Sequence, residues 1–451
     1  MAVLVRGADG ELRLHVKGSL ESVLPLCTHY RDTDGERSLA ESDRQAIERE
    51  VERMTAEALR VLVLARKPAG DAGLDESGLT FLGLIGMLDP PRPGVPEAIA
   101  ACHQAGVAVV MITGDHPGTA TAIAREIGLL KPGDEVLTGS TLSALSDEEL
   151  RERCVRTRVF ARTTAAQKLR IVRAFQKAGQ VVAMTGDGVN DAPALREAHV
   201  GIAMGRDGTE VARQAADVIL TDDQFVTIVA GIREGRAIYH NIQKFIVYLL
   251  SSNVALALAV FGTPFAKDSL PLTALMILWI NLVTNGLPAL ALGVEPPDPA
   301  QMRAAPRQMV NRLFQRIDYL GIALAGVIMG LLALGIYFAP RWTPLLSPQQ
   351  ARTLAFALLG FAPLFHVWNC RSRDRSVLVQ RPLFTLPLLG ATLLSGLVHL
   401  ASLAVPGLRP IFHTYPLATG DWLLVVLLSA CIVPAVEVAK LLGRPLLRPD
   451  R

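Results

Sequence analysis

Met184-Thr185-Gly186-Asp187-Gly188-Val189-Asn190-Asp191-Ala192-Pro193-Ala194-Leu195 is the stretch on which the reading of this chain turns. It follows an apolar run, QVVA at 180–183, and opens a helical pattern, so the hydrophobic period switches there from strand to helix. Asp187 and Asp191 stand four residues apart, with Gly188 beside the first. In a strand-to-helix turn two such carboxylates can converge where backbone amides also point, which suits magnesium and its demand for oxygen ligands. A turn whose Asp and Asn merely cap a helix is the blander reading of D-G-x-x-D alone. The longer string argues against it.

The same alternation extends on both sides. VAVVMIT (107–113) precedes PGTATAIAREIGL (117–129), RVFAR (158–162) precedes AAQKLRIVRAFQKAG (165–179), and HVGIAMG (199–205), GTEVARQAA (208–216) and DVILTD (217–222) follow. Repeated apolar strands, each followed by a helix, predict a parallel, doubly wound sheet from Phe81 to about Asp222. Upstream, ELRLHVKG, RVLVLARK and LTFLGLIGML flank a charged helical stretch from Asp43 to Leu59, the pattern of a small α+β unit.

Half of the 451 residues are hydrophobic, too many for a purely soluble protein of this length. Six apolar stretches, near 242–263, 270–293, 319–340, 351–370, 382–404 and 422–442, are long enough to cross a hydrocarbon layer of roughly 30 Å. Arginines crowd alternate connections: Arg233 to Lys244, then Arg303, Arg307, Arg312 and Arg316, then Arg371, Arg373, Arg375 and Arg381, and finally Arg444 to Arg451. The other connections hold few basic residues, Lys267, Arg341 and Arg409 among them. The positive-inside rule then puts both ends on the cytoplasmic side, and a plasma membrane is the expected location. A net charge of +3 from 45 basic and 42 acidic residues gives no reason to expect a nucleic-acid partner. Cys27, Cys102, Cys154, Cys370 and Cys431 show no C-x-x-C pair, which argues against a disulfide framework or a zinc site. The charged opening, MAVLVRGADGELRLHVKG, does not have the apolar core of a signal peptide.

TGDGVNDAPAL resembles the hinge signature of P-type ATPases, a branch of the haloacid dehalogenase superfamily, and the family's other motifs occur in order. Asp89-Pro90-Pro91-Arg92 is similar to the element joining the phosphorylation and nucleotide domains. Thr113-Gly114-Asp115 resembles the element that binds phosphoryl oxygens, and Lys168 matches the lysine that neutralises the transferring phosphate. Taken singly, Lys168 reads equally as a solvated helix residue. Lys17-Gly18 and Arg60 resemble, more weakly, nucleotide-contacting positions. The resemblance implies ATP and magnesium as cofactors, catalytic roles for Thr113, Gly114, Asp115, Lys168 and Asn190, nucleotide contacts from Lys17, Gly18, Arg60, Asp89 and Arg92, and magnesium at Asp187 and Asp191. It also implies three domains: a partial nucleotide-binding domain at 1–80, a haloacid dehalogenase-like, Rossmannoid phosphorylation domain at 81–232 lacking its first strand, and an all-α transmembrane domain of six helices at 233–451. The D-K-T-G-T string that carries the phosphorylated aspartate in this family is not found among these residues, nor is the T-G-E element. Asp32-Thr33-Asp34-Gly35 lies in a polar loop and is no substitute.

Polar residues within apolar spans usually face a bundle interior. Ser251, Ser252 and Asn253 lie in the first span; Asn281, Thr284 and Asn285, at i, i+3 and i+4, are expected on one face of the second. Gly286 and Pro288 follow, and a proline frees carbonyls. These two spans resemble the fifth and sixth helices of calcium- and sodium-pump relatives, which makes Asn253, Asn281, Thr284 and Asn285 an expected ion path. Helix-to-helix glue is the alternative. Leu256, Asn285 and Pro363 stand where relatives carry acidic or amide ligands. The expected function is therefore the carboxy-terminal portion of an ATP-driven cation pump, with a transported cation, a lipid membrane and a separate segment bearing the phosphorylated aspartate as partners. The alternative is a non-catalytic, degenerate pump acting as a membrane scaffold or regulator.

Overall fold

The computed structural model describes residues 1–7, 10–33, 35–57, 59–68, 75–87, 90–262, 271–306, 313–372, 375–380 and 382–443. Asp34, Asp89, Lys267, Arg307, Arg312, Arg373, Arg381 and Arg444 to Arg451, all named above, lie outside them. The chain divides into two compact units, mainly Met1–Gly231 and mainly Ile232–Gln301 with Val310–Arg451.

The first unit begins with six strands: β1 (Ala2–Arg6), β2 (Leu12–Gly18), β3 (Cys27–Asp32), β4 (Gly35–Ser38), β5 (Arg60–Pro68) and β6 (Leu79–Met87). They form one sheet in the order β1-β2-β5-β6-β3-β4, antiparallel except where β3 meets β6. Leu14, Val16, Val63, Ala65 and Leu79 alternate along their strands and bury one face with Val23, Leu24 and Cys27. β6 lies inside this sheet, so a domain boundary at 80 would cut a strand. Asp32 pairs with Gly35 at the β3-β4 turn, on the rim of the sheet.

Six further strands follow: β7 (Met111–Ile112), β8 (Glu135–Thr138), β9 (Thr157–Ala161), β10 (Ala183–Gly186), β11 (Val200–Met204) and β12 (Val218–Leu220). All are parallel, as the strand-helix alternation predicts, but they make two sheets rather than one: β7-β9-β8 and β10-β11-β12. Among the described residues β7 pairs only with β9, and β10 only with β11. With a neighbour on one side alone, VAVVMI holds just two residues in a ladder, and Val181 stays 56% exposed. The Ala165–Lys177 helix serves both sheets, sending Ile171 into one core and Val172 into the other, and Ile112 of β7 packs against both. Thr164 caps that helix by accepting from Gln167 N at 3.4 Å, while Gln167 Oε1 accepts from Thr164 N at 3.0 Å.

Among the described residues, six helices are long and apolar enough to cross a membrane: Phe225–Gly262, Ala274–Gly293, Asp318–Arg341, Pro348–Cys370, Leu386–Ala404 and Thr419–Leu441. The first starts at Phe225, well before the apolar window at 242, because the mixed stretch FVTIVAGIREGRAIYHN continues the same helix. In the fourth, 83% of the most apolar window is buried against 17% in the sixth, so the fourth is the centre of the bundle. Gly326 and Gly330 of the third helix let it close on the first. A β-carbon at Gly326 would lie 2.5 Å from Val254 Cβ, and one at Gly330 2.8 Å from Leu258 Cδ2.

One buried charge cluster ties four of these helices together near their ends. Glu295, whose side chain is 5% exposed, accepts from Arg371 Nε at 2.5 Å and Lys244 Nζ at 3.0 Å. Asn241 Nδ2 donates to the Glu295 carbonyl at 2.7 Å, and Arg371 donates to Leu383 O at 2.6 Å.

Candidate functional site

Ligands of open parallel sheets gather at the carboxyl ends of the strands, and the expected catalytic residues stand there. Thr113 follows β7, Thr163 and Thr164 follow β9, and Asp187 follows β10. Thr113 Oγ1 donates to Asp115 Oδ2 at 2.8 Å and accepts from Asp115 N at 3.1 Å, which folds Thr113-Gly114-Asp115 into a tight loop. Thr163 N and Oγ1 both donate to Thr113 O at 3.0 Å, binding that loop to the start of the Ala165–Lys177 helix. One turn into this helix is Lys168, whose Nζ lies 2.6 Å from Asp191 Oδ1. The Thr113 loop and the MTGDGVND turn are thus both tied to the start of the Ala165–Lys177 helix.

Asp191 is 6% exposed, and its second oxygen accepts from Gly188 N at 3.3 Å. A β-carbon at Gly186 would lie 2.5 Å from Asp191 Cβ, so only glycine admits this approach. Asp187 differs. It is exposed, its backbone carbonyl accepts from Thr209 N at 2.8 Å, and its carboxylate forms no hydrogen bond among the described residues. Magnesium keeps several waters and needs only one or two carboxylates. Among the described residues the Asp187 carboxylate is thus free to take a ligand, while Asp191 is engaged by Lys168. Asn190 is exposed beside them.

Sequence reasoning passed over two residues here. Arg162, in FARTT, has φ 51°, a left-handed conformation uncommon for a side-chain-bearing residue. Its N–H donates to Asp115 O at 3.0 Å and its guanidinium to Glu21 at 2.7 Å. Asp223, with φ 55° and 3% exposed, accepts from Gly205 N at 2.6 Å, Arg206 N at 3.1 Å and Asp207 N at 2.8 Å. Burial opposes the charge on Asp223, but these three amides and the nearby Arg92 outweigh it and hold its carboxyl below the usual carboxylate range. A depressed folded-state pKa adds stability above the unfolded value, near about 3.9, that is lost as pH falls toward the folded value. Between about pH 5 and pH 3 the melting temperature should therefore fall more steeply for the native chain than for Asp223→Asn. Equal slopes would remove Asp223 as the titrating group.

The nucleotide-contact candidates are dispersed. Lys17 pairs with Leu64 across β2 and β5, so Arg60, four residues along β5, lies roughly 13 Å away along the strand. Gly18 admits Val23, whose Cγ2 would lie 2.8 Å from a β-carbon there. Arg92 turns to Asp207, at 3.1 Å, and to the Asp223 carbonyl.

The expected ion path divides. Asn253 and Asn281 are exposed, whereas Thr284 and Asn285 are fully buried. The single face expected for Asn281, Thr284 and Asn285 rested on α-helical spacing. Instead Ile280–Thr284 is a π turn, closed by Asn285 N donating to Ile280 O at 2.9 Å, and this shifts the phase. Pro288, lacking an N–H, cannot bond the Thr284 carbonyl in the usual i to i−4 manner. Among the described residues, Thr284 Oγ1 and Asn285 Nδ2 have no hydrogen-bond partner.

Residues 1–94 match the family model "P-type ATPase, cytoplasmic domain N", and residues 269–442 match "Cation transporting ATPase, C-terminus". The chain is 41% identical over 436 residues to a calcium-transporting ATPase of Bacillus subtilis, covering 95% of this chain and 49% of that protein. It is 38% identical over 448 residues to the human calcium-transporting ATPase type 2C member 2, covering 98% and 46%. A probable cation-transporting ATPase F of Mycobacterium bovis is 37% identical over 454 residues, covering 98% and 50%. The chain spans about half the length of these curated relatives. It belongs to the P-type cation-transporting ATPases, over the part corresponding to their carboxy-terminal half.

Proposed function

We propose that this chain is the carboxy-terminal portion of an ATP-driven cation pump, and that its aspartate nucleophile lies in a polypeptide segment outside these 451 residues. The observation that carries this reading is the pair of open strand edges, β7 and β10, in two parallel half-sheets that share one helix. One extended strand between them would complete a single haloacid dehalogenase-like sheet. Its carboxyl end would emerge beside Thr113, Lys168 and Asp187. Lys168 then offsets charge on the transferring phosphoryl group, the Thr113 loop supplies donors to its oxygens, and Asp187 holds magnesium, which lowers the cost of the charge that develops. Lys17, Gly18, Arg60, Asp89 and Arg92 are the nucleotide-side residues, and ATP reaches the site from the six-stranded sheet. Exposed Asn253 and Asn281, costly against lipid, favour further polypeptide covering that face of the bundle. The protein is multi-pass in the plasma membrane, with both termini cytoplasmic.

Co-expression tests the reading. The chain alone should form no acid-stable phosphoenzyme from labelled ATP, and a segment carrying a buried strand followed by D-K-T-G-T should restore one, with the label on the added segment. Label on the 451-residue chain itself would sink the assignment. No label with the segment present would favour a scaffold.

A further inference from the structure

Tyr248 lies in the first membrane helix, fully buried, thirty-seven residues from Asn285. Its hydroxyl donates to Asn285 Oδ1 at 3.1 Å and makes no other hydrogen bond among the described residues. Around the ring pack Ala289 and Leu292 of the second helix, Val367 and Cys370 of the fourth and Leu388 of the fifth, so the phenol is held firmly. A carboxamide has one oxygen end and one N–H end, and fixing one end fixes what the other can offer. The end left over is Nδ2, buried and, among the described residues, without an acceptor; it is next in sequence to Thr284, whose Oγ1 likewise has no partner among them. Cations are held by oxygen lone pairs, and a divalent ion needs several of them.

We propose that Tyr248 is a specificity-determining residue of the ion path: by engaging Asn285 Oδ1 it withdraws that oxygen as a ligand, leaves the amide's donor end in its place, and so disfavours a divalent cation. This rests on the reading of Thr284 and Asn285 as part of an ion path. The terminal torsion of an asparagine is broad and roughly two-fold. Without the tyrosine hydroxyl, the amide is free to turn and offer Oδ1.

Equilibrium binding of radiolabelled calcium and sodium to the full chain in lipid nanodiscs tests this. Tyr248→Phe, which removes one oxygen and keeps the ring, should tighten calcium binding by between about threefold and tenfold, the size of one net hydrogen bond. The gain should vanish in the Tyr248→Phe, Asn285→Ala double variant, with Thr284→Val as the companion background should that variant fail to fold. Unchanged or weaker calcium binding in Tyr248→Phe, where Asn285→Ala does weaken binding, would overturn the role of Tyr248 and leave the ion path standing. Binding indifferent to Asn285→Ala and Thr284→Val in both backgrounds, or no binding by any variant, would remove the ion path and this proposal with it.

Discussion

Asp187→Ala is expected to lower phosphoenzyme formation by about a thousandfold or more once the aspartate-bearing segment is supplied. The carboxylate of Asp187 stands at the end of β10 with no hydrogen-bond partner among the described residues, and it is the residue there free to hold a hydrated magnesium. On the proposed reading, losing it would remove the cation that offsets charge on the transferring phosphate, an effect of several kcal/mol. Asp191→Asn provides the contrast. It loosens Lys168, whose Nζ lies 2.6 Å from Asp191, and so should slow the reaction while leaving its magnesium dependence in place. Undiminished phosphorylation in Asp187→Ala would take that residue out of the metal site.

Glu295→Gln should destabilise the membrane unit by about 3–5 kcal/mol. Two cations converge on this one carboxylate: Arg371, with a side chain 6% exposed, and Lys244, at 17%. Neutralising Glu295 leaves buried Arg371 and partly buried Lys244 without a counter-charge among the described residues, and desolvation rather than lost attraction sets the size of the effect. Replacing all three by apolar residues of similar volume, Glu295→Leu with Lys244→Met and Arg371→Met, should recover most of the loss. Thermal unfolding in detergent measures both variants. A change under about 1 kcal/mol in Glu295→Gln would mean that water reaches the cluster.

The six spans were legible because hydropathy over about 20 residues reports lipid contact directly. The start of the first was not. FVTIVAGIREGRAIYHN is too polar for such a window, yet it belongs to the Phe225–Gly262 helix. The second span reads as one apolar run, and nothing in its composition marks the π turn at Ile280–Thr284, which separates Asn281 from Thr284 and Asn285. Asp187, Asp191 and Lys168 could be named from motif strings. That Lys168 pairs with Asp191 could not, since the two are twenty-three residues apart and meet only through the fold. Arg162, Asp223, Tyr248 and Glu295 left weaker traces. Each acts through a backbone conformation or a partner distant in sequence, which local patterning does not encode. The strand-helix alternation did read correctly as parallel strands, but it does not say how many of them share a sheet: among the described residues they form two sheets of three, with β7 and β10 each paired on one side.

Those two edges have a cost for the cell as well as a use. A strand with one side unpaired presents N–H and C=O groups to any extended chain nearby, and β10 adds Val181, 56% exposed, at its approach. On the proposed reading the closing strand comes from another segment, and until it pairs the half-sheets are open to the wrong one. The interval before pairing should then be the period in which the polypeptide is most prone to aggregation and proteolysis.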